Sequence, residues 1–89
     1  MIGGDYMTIN LKPVGKMIKE IRKLRCMTQA QLAELTEMSD VFVSRIETGD
    51  RMTSLTSLIK IAVAFDVTLN ELVRLDEVVE MEEEQYFIL

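Results

Sequence analysis

Thr28 to Glu47, TQAQLAELTEMSDVFVSRIE, reads as two short helices joined by a very tight turn. Thr28 is a hydroxyl N-cap with Gln31 three residues on as the reciprocal capping-box partner, and Ala30, Leu32, Ala33 and Leu35 follow as good helix formers. The first helix therefore starts near Gln29. Ser39 is a second N-cap, and Asp40 behind it puts a negative charge at the positive end of a helix dipole. The second helix therefore starts near Asp40. Only Glu37 and Met38 lie between, so the helices must cross steeply, with Ala33, Met38, Val43 and Ile46 as their shared interior.

Upstream, Val14, Met17, Ile18, Ile21 and Leu24 fall at helical spacing among Lys16, Lys19, Arg22, Lys23 and Arg25, which predicts a helix over about 14–25. Residues 1–13 show no sustained period and end in Lys12-Pro13, so a flexible arm is expected there, with Met7 a second candidate start. Cys26 occupies a turn where glycine is commoner, and reads as structural. Downstream, Gly49 stops the second motif helix and Ser54 caps a fourth. Leu55, Leu58, Ile59, Ala62, Val63 and Phe65 make that helix apolar over more than one face, so it is expected to be the most buried, with Lys60 on its wet side. Thr68 caps a fifth helix with Glu71 at the capping-box position and Leu69, Leu72 and Val73 on its apolar face; Val78, Val79 and Met81 extend it. The expected fold is all-α, five helices over 14–74, followed by an acidic C-terminal extension over 75–89.

One small domain is what 89 residues allow. Apolar residues are 48% and charged residues 28% of the chain, a globular rather than disordered balance. A single cysteine and no histidine leave neither an internal disulfide nor the usual zinc or thiol chemistry, so no metal, cofactor or catalytic residue is expected. With no membrane-spanning run and no signal-peptide pattern, the expected location is cytoplasmic. The net charge of -5 is unevenly placed. From Val14 to Arg74 nine basic residues face eight acidic ones, whereas Asp76, Glu77, Glu80, Glu82, Glu83 and Glu84 follow with no basic residue among them. The body is nearly neutral, and the acidity belongs to the tail.

Together these residues resemble the Cro and lambda-repressor type of helix-turn-helix regulator, also called the xenobiotic response element family. The resemblance covers about Val14 to Val73, through IKEIRKLRCMTQAQLAELTEMSDVFVSRIETGDR and SLTSLIKIAVAFDVTLNEL. Cys26 and Glu37 depart from it, standing where the family usually has glycine, as does Thr53, where it often has proline. The resemblance implies double-stranded DNA as partner and a transcriptional regulator, expected to be a repressor, with a recognition helix at about 40–47. It also implies that Arg22 and Glu47 form a partly buried ion pair tying the first helix to the end of the recognition helix, a structural role in which Glu47→Gln lowers the melting temperature and leaves sequence preference alone.

DNA binding needs donors at the phosphates and side chains that reach base edges. Gln29, at a helix N-terminus, is a phosphate candidate. Along the recognition helix Val43 and Ile46 point inward, leaving Asp40, Val41, Phe42, Ser44 and Arg45 for the groove and its margins, with Ser39 at the cap and Arg51 just beyond the helix. Arg45 has the fork that bonds guanine, or else sits in a surface ion pair. Val41 and Phe42 suit thymine methyl groups, while Asp40 opposes phosphates unless it accepts from a cytosine amino group. A homodimer is expected, joined through Leu72, Val73, Leu75, Val78, Val79, Tyr86 and Phe87. The competing reading is a protein-interaction module, antitoxin-like, whose acidic tail covers a basic partner.

Overall fold

A computed structural model describes residues 7–9, 12–51, 53–74 and 79–81. In chain order the elements are β1 (Met7–Ile9), α1 (Lys12–Leu24), α2 (Gln29–Thr36), α3 (Asp40–Thr48), α4 (Leu55–Phe65), α5 (Leu69–Leu72) and β2 (Val79–Met81).

Hydroxyl caps start four of the helices, each accepting from the backbone N–H three residues on: Thr28 from Gln31, Ser39 from Phe42, Ser54 from Ser57 and Thr68 from Glu71. In α2 and α5 the side chains of Gln31 and Glu71 return the bond to the cap backbone, which completes two capping boxes. The helix ends are equally uniform. The pairs Cys26–Lys23 with Met27–Arg22, Glu37–Glu34 with Met38–Ala33, Gly49–Ile46 with Asp50–Arg45, and Asp66–Val63 with Val67–Ala62 are all N–H to C=O bonds of the Schellman kind. Such an end requires a left-handed residue, and here only Gly49 is glycine; Cys26, Glu37 and Asp66 take φ of 54, 58 and 57° as side-chain-bearing residues.

Three expectations need correction. Residues 1–13 are not wholly an arm, because Met7–Ile9 is a strand and α1 already begins at Lys12. Pro13 is tolerated there, since a first-turn N–H has no partner within the helix to lose. Val79 and Met81 do not extend the fifth helix either. Val73 is extended (φ -112, ψ 103), α5 stops at Leu72, and Val79–Met81 pairs antiparallel with β1 in the register Met7 to Met81, Thr8 to Glu80 and Ile9 to Val79. β-branched valines suit that extended state better than a helix. Finally, α4 is not buried all round. Ile61, Ala62 and Phe65 enter the core, but Leu55, Ile59 and Val63 remain largely exposed.

The core joins Val14, Ile18 and Ile21 of α1, Leu32 and Ala33 of α2, Val43 and Ile46 of α3, Ile61, Ala62 and Phe65 of α4, and Leu72 of α5. Met38, in the turn of the motif, packs against it half-buried. α3 lies against α1 and α2, while α4 lies against α2, α5 and α1. α3 is thus held by the first two helices, and α4 supports the motif through α2.

Candidate nucleic-acid interface

The pose of α3 is set by how closely α1 approaches it. Gly15 faces the α3 backbone, where an added Cβ would collide with the Ile46 carbonyl oxygen and come within 2.8 Å of the Glu47 carbonyl oxygen. No side chain fits, so the glycine allows contact at backbone distance. In the sequence the one hint of this is a glycine inside a helical period.

Below that crossing Arg22 and Glu47 form the ion pair, with Arg22 8% and Glu47 6% exposed. Arg22 Nε donates to Glu47 Oε2 at 2.6 Å and Nη2 donates to Oε1 at 3.1 Å, a two-pronged geometry that a planar guanidinium favours. Nη1 donates to the Met27 carbonyl at 2.8 Å, which also ties the guanidinium to the turn before α2. A third side chain joins: Gln29 Nε2 donates to Glu47 Oε1 at 3.1 Å. The corner therefore links α1, the start of α2 and the end of α3. Arg25 makes a separate tie, with Nε donating to the Phe65 carbonyl at the end of α4 at 2.9 Å.

Gln29, Asp40, Val41, Ser44 and Arg45 line one open depression between the start of α2 and the outer side of α3. Val41 is 60% exposed, Arg45 is exposed, and the Arg45 guanidinium engages no side chain among the described residues. The ion-pair alternative for Arg45 thus finds no partner there. Asp40 accepts from the Val41 N–H at 3.0 Å, so its carboxylate is engaged at the N-terminus of α3, where the dipole favours it. Ser39 spends its hydroxyl on the cap. Phe42 stands apart: it is half-buried against the core, and the Arg51 guanidinium sits 5.8 Å from its ring centroid. That contact places Arg51 beside α3 rather than free of it.

Of the residues expected to join two copies, Leu72 is 1% exposed and belongs to the core, so it is not available to a second chain. Val73 is half-buried and lines a small apolar cavity with Val14, Gly15, Ile46, Arg51, Thr53 and Leu58. Thr53 Oγ1 is buried there without a hydrogen-bond partner among the described residues. Val79 lies in β2, while Leu75, Val78, Tyr86 and Phe87 lie outside the described residues. No helix among the described residues is long and apolar enough to cross a membrane.

The sequence profile described as helix-turn-helix matches residues 18–72. Among solved structures, the restriction-modification controller protein C.AhdI from Aeromonas hydrophila is 32% identical with a TM-score of 0.69, over 71% of this chain and 96% of that one. PlcR from Bacillus thuringiensis, in complex with the peptide PapR7 and DNA, is 36% identical with a TM-score of 0.64, over 68% of this chain but 21% of that one. The P22 c2 repressor protein in complex with a synthetic operator is 23% identical with a TM-score of 0.65, over 68% of this chain and 92% of that one, and shows the shared fold. No curated protein sequence matches the chain.

Proposed function

The chain belongs to the helix-turn-helix family, with the Cro and lambda-repressor type of fold, and from that premise we propose that it is a sequence-specific DNA-binding repressor of transcription. The observation that carries this reading is the depression shared by Gln29, Asp40, Val41, Ser44 and Arg45. Gln29, at the start of α2, lies there beside the exposed side of a helix about two turns long, which suits an arrangement in which one helix lies in the major groove while the other meets the backbone. Arg45 reads a base or a phosphate, Val41 favours thymine methyl groups, and Arg51 with Phe42 flanks the groove. Lys19, Lys23 and Lys60 are solvated charges available to the flanking backbone.

One copy reads a half-site, so the protein works as a homodimer that sets two α3 helices roughly 34 Å apart on one side of the duplex. Val73 and the chain beyond it, including Leu75, Val78, Val79, Tyr86 and Phe87, form the proposed seam. Truncation after Arg74 is expected to turn dimer into monomer in light scattering and to weaken operator binding, with the helical signal of the body retained. It also removes β2 and so leaves β1 without its partner strand.

In vitro selection of bound duplexes tests the reading as a whole. An enriched sequence with two-fold symmetry and affinity that falls steeply with salt supports it. Absence of binding at any salt defeats it and favours the antitoxin-like alternative, in which the acidic tail takes a basic protein.

A further inference from the structure

We propose that Glu47 is a positioning residue for Gln29, so that the buried Arg22–Glu47 pair sets DNA affinity as well as stability; the inference rests on the DNA-binding reading above. The Gln29 amide has an acceptor end and a donor end of nearly equal size. Unguided, it presents either to a phosphate, and the acceptor end repels one. Glu47 removes the choice. Both its oxygens take N–H groups from Arg22, and Oε1 also takes Nε2 of Gln29 at 3.1 Å, so only the donor end of the amide can face it. One N–H of Gln29 is thereby held, and the other is left for a ligand oxygen at the depression it shares with Ser44 and Arg45.

Arg22 supplies the second half of the device. A bare carboxylate one hydrogen bond from a phosphate donor would oppose the phosphate, and the guanidinium offsets that charge at 2.6 Å. Because Arg22 is fixed in turn by the Met27 carbonyl, the compensation does not depend on a mobile surface side chain. The amide is therefore ordered before DNA arrives, and little freedom is lost on binding. A purely structural pair would hold α1 to α3 and leave affinity alone. Since a phosphate contact carries no base identity, the positioning changes affinity on every sequence alike, and the sequence preference assigned to α3 is untouched.

The test uses the full chain with labelled random-sequence duplex DNA at low salt, at a temperature where circular dichroism finds every variant folded. Replacing the pair with apolar residues, Arg22→Met with Glu47→Leu, leaves neither charge behind and keeps the helices packed. That double variant and Gln29→Ala are each expected to weaken binding about fivefold, the size of one hydrogen bond, without changing the salt slope, because net charge is conserved. Combined, they weaken it no further than either does alone, since both remove the same contact. If the double variant binds as the unaltered chain does, or if the two losses multiply to about twenty-five-fold, positioning is overturned. A measurement on the unaltered chain stands whether or not the variants fold: in NMR, one Gln29 side-chain amide proton is shifted by its bond to Glu47 and the other moves when DNA is added. If neither amide proton responds to DNA that binds, the proposal fails by itself. If the unaltered chain binds no DNA at any salt, the DNA-binding reading fails with it.

Discussion

The corner where α1, α2 and α3 meet and the outer side of α4 are made of opposite materials. In the corner, a glycine brings two backbones together, and a buried arginine and a half-buried glutamine both donate to a buried glutamate with fixed directions. On the outer side of α4, Leu55, Ile59 and Val63 repeat every fourth residue and remain 61, 47 and 74% exposed, with Leu35 of α2 alongside at 59%. Apolar contact is non-directional, so it stabilises a fold without fixing an angle. Bonded polar groups do the reverse: they add little net stability and tolerate few geometries. The polar material lies where the pose of α3 is decided. The apolar surplus lies where the pose of α3 does not depend on it.

That contrast breaks if the corner proves soft. Arg22→Met leaves Glu47 buried, charged and bonded only to a neutral amide, and is expected to cost about 3–5 kcal/mol, the usual loss on breaking a buried pair from one side. In a domain of this size each 1 kcal/mol moves the melting temperature by roughly 4–8 °C, so a drop of well over 10 °C should appear in a thermal melt. Restoring neutrality with Glu47→Leu in the same chain recovers most of it. A loss below about 1 kcal/mol for Arg22→Met would mean that water reaches the pair and that the corner is no different from the surface.

At the turns the energies are smaller. Glu37 ends α2 at φ 58°, a conformation that costs an L-residue about 1 kcal/mol relative to glycine. Glu37→Gly is expected to raise stability by up to about 1 kcal/mol, less the entropy that glycine adds to the unfolded chain, as read by urea denaturation. A fall instead would show that the Schellman bonds from Glu37 and Met38 already absorb the strain.

Local chemistry was the legible part of this chain. Thr28, Ser39, Ser54 and Thr68 could be named as caps because each bond spans three residues, and the turn at Cys26 could be placed because a helix end is equally local; the left-handed Glu37 was signalled only by the resemblance, as a position where the family usually has glycine. What lies far apart in sequence was not legible. The pairing of Ile9 with Val79 depends on where five helices bring the two ends, so the valines after α5 read as helix. Gly15 meets Ile46 and Glu47 only once α1 crosses α3, and the Gln29–Glu47 bond, between residues 18 apart, needs the α2–α3 crossing. In the candidate interface the exposure of Val41 and Arg45 followed from helical period, whereas the contact of Phe42 with Arg51 depended on residues beyond the end of α3. The outer side of α4 misled for a related reason: periodicity reports which residues are apolar, and burial depends on whether a neighbour arrives to cover them.

The smallest effect belongs to that outer side. Phe65 and Val63 are two residues apart on α4, but Phe65 is fully buried and Val63 is 74% exposed. Phe65→Ala is expected to cost about 3–5 kcal/mol through the cavity it leaves. Val63→Lys removes a β-branched residue from a helix surface, gains a few tenths of a kcal/mol in helix propensity and loses little burial, so the net change should stay within about 0.5 kcal/mol. Urea denaturation measures the change, and light scattering of the same sample reports whether the mass has altered. A loss above about 1 kcal/mol would mean that Val63 is covered in solution. If that loss comes with a fall from dimer to monomer, the seam between copies lies on α4 rather than beyond Val73; if it comes at constant mass, the cover belongs to the same chain, and the apolar residues Tyr86 to Leu89 are the first to delete.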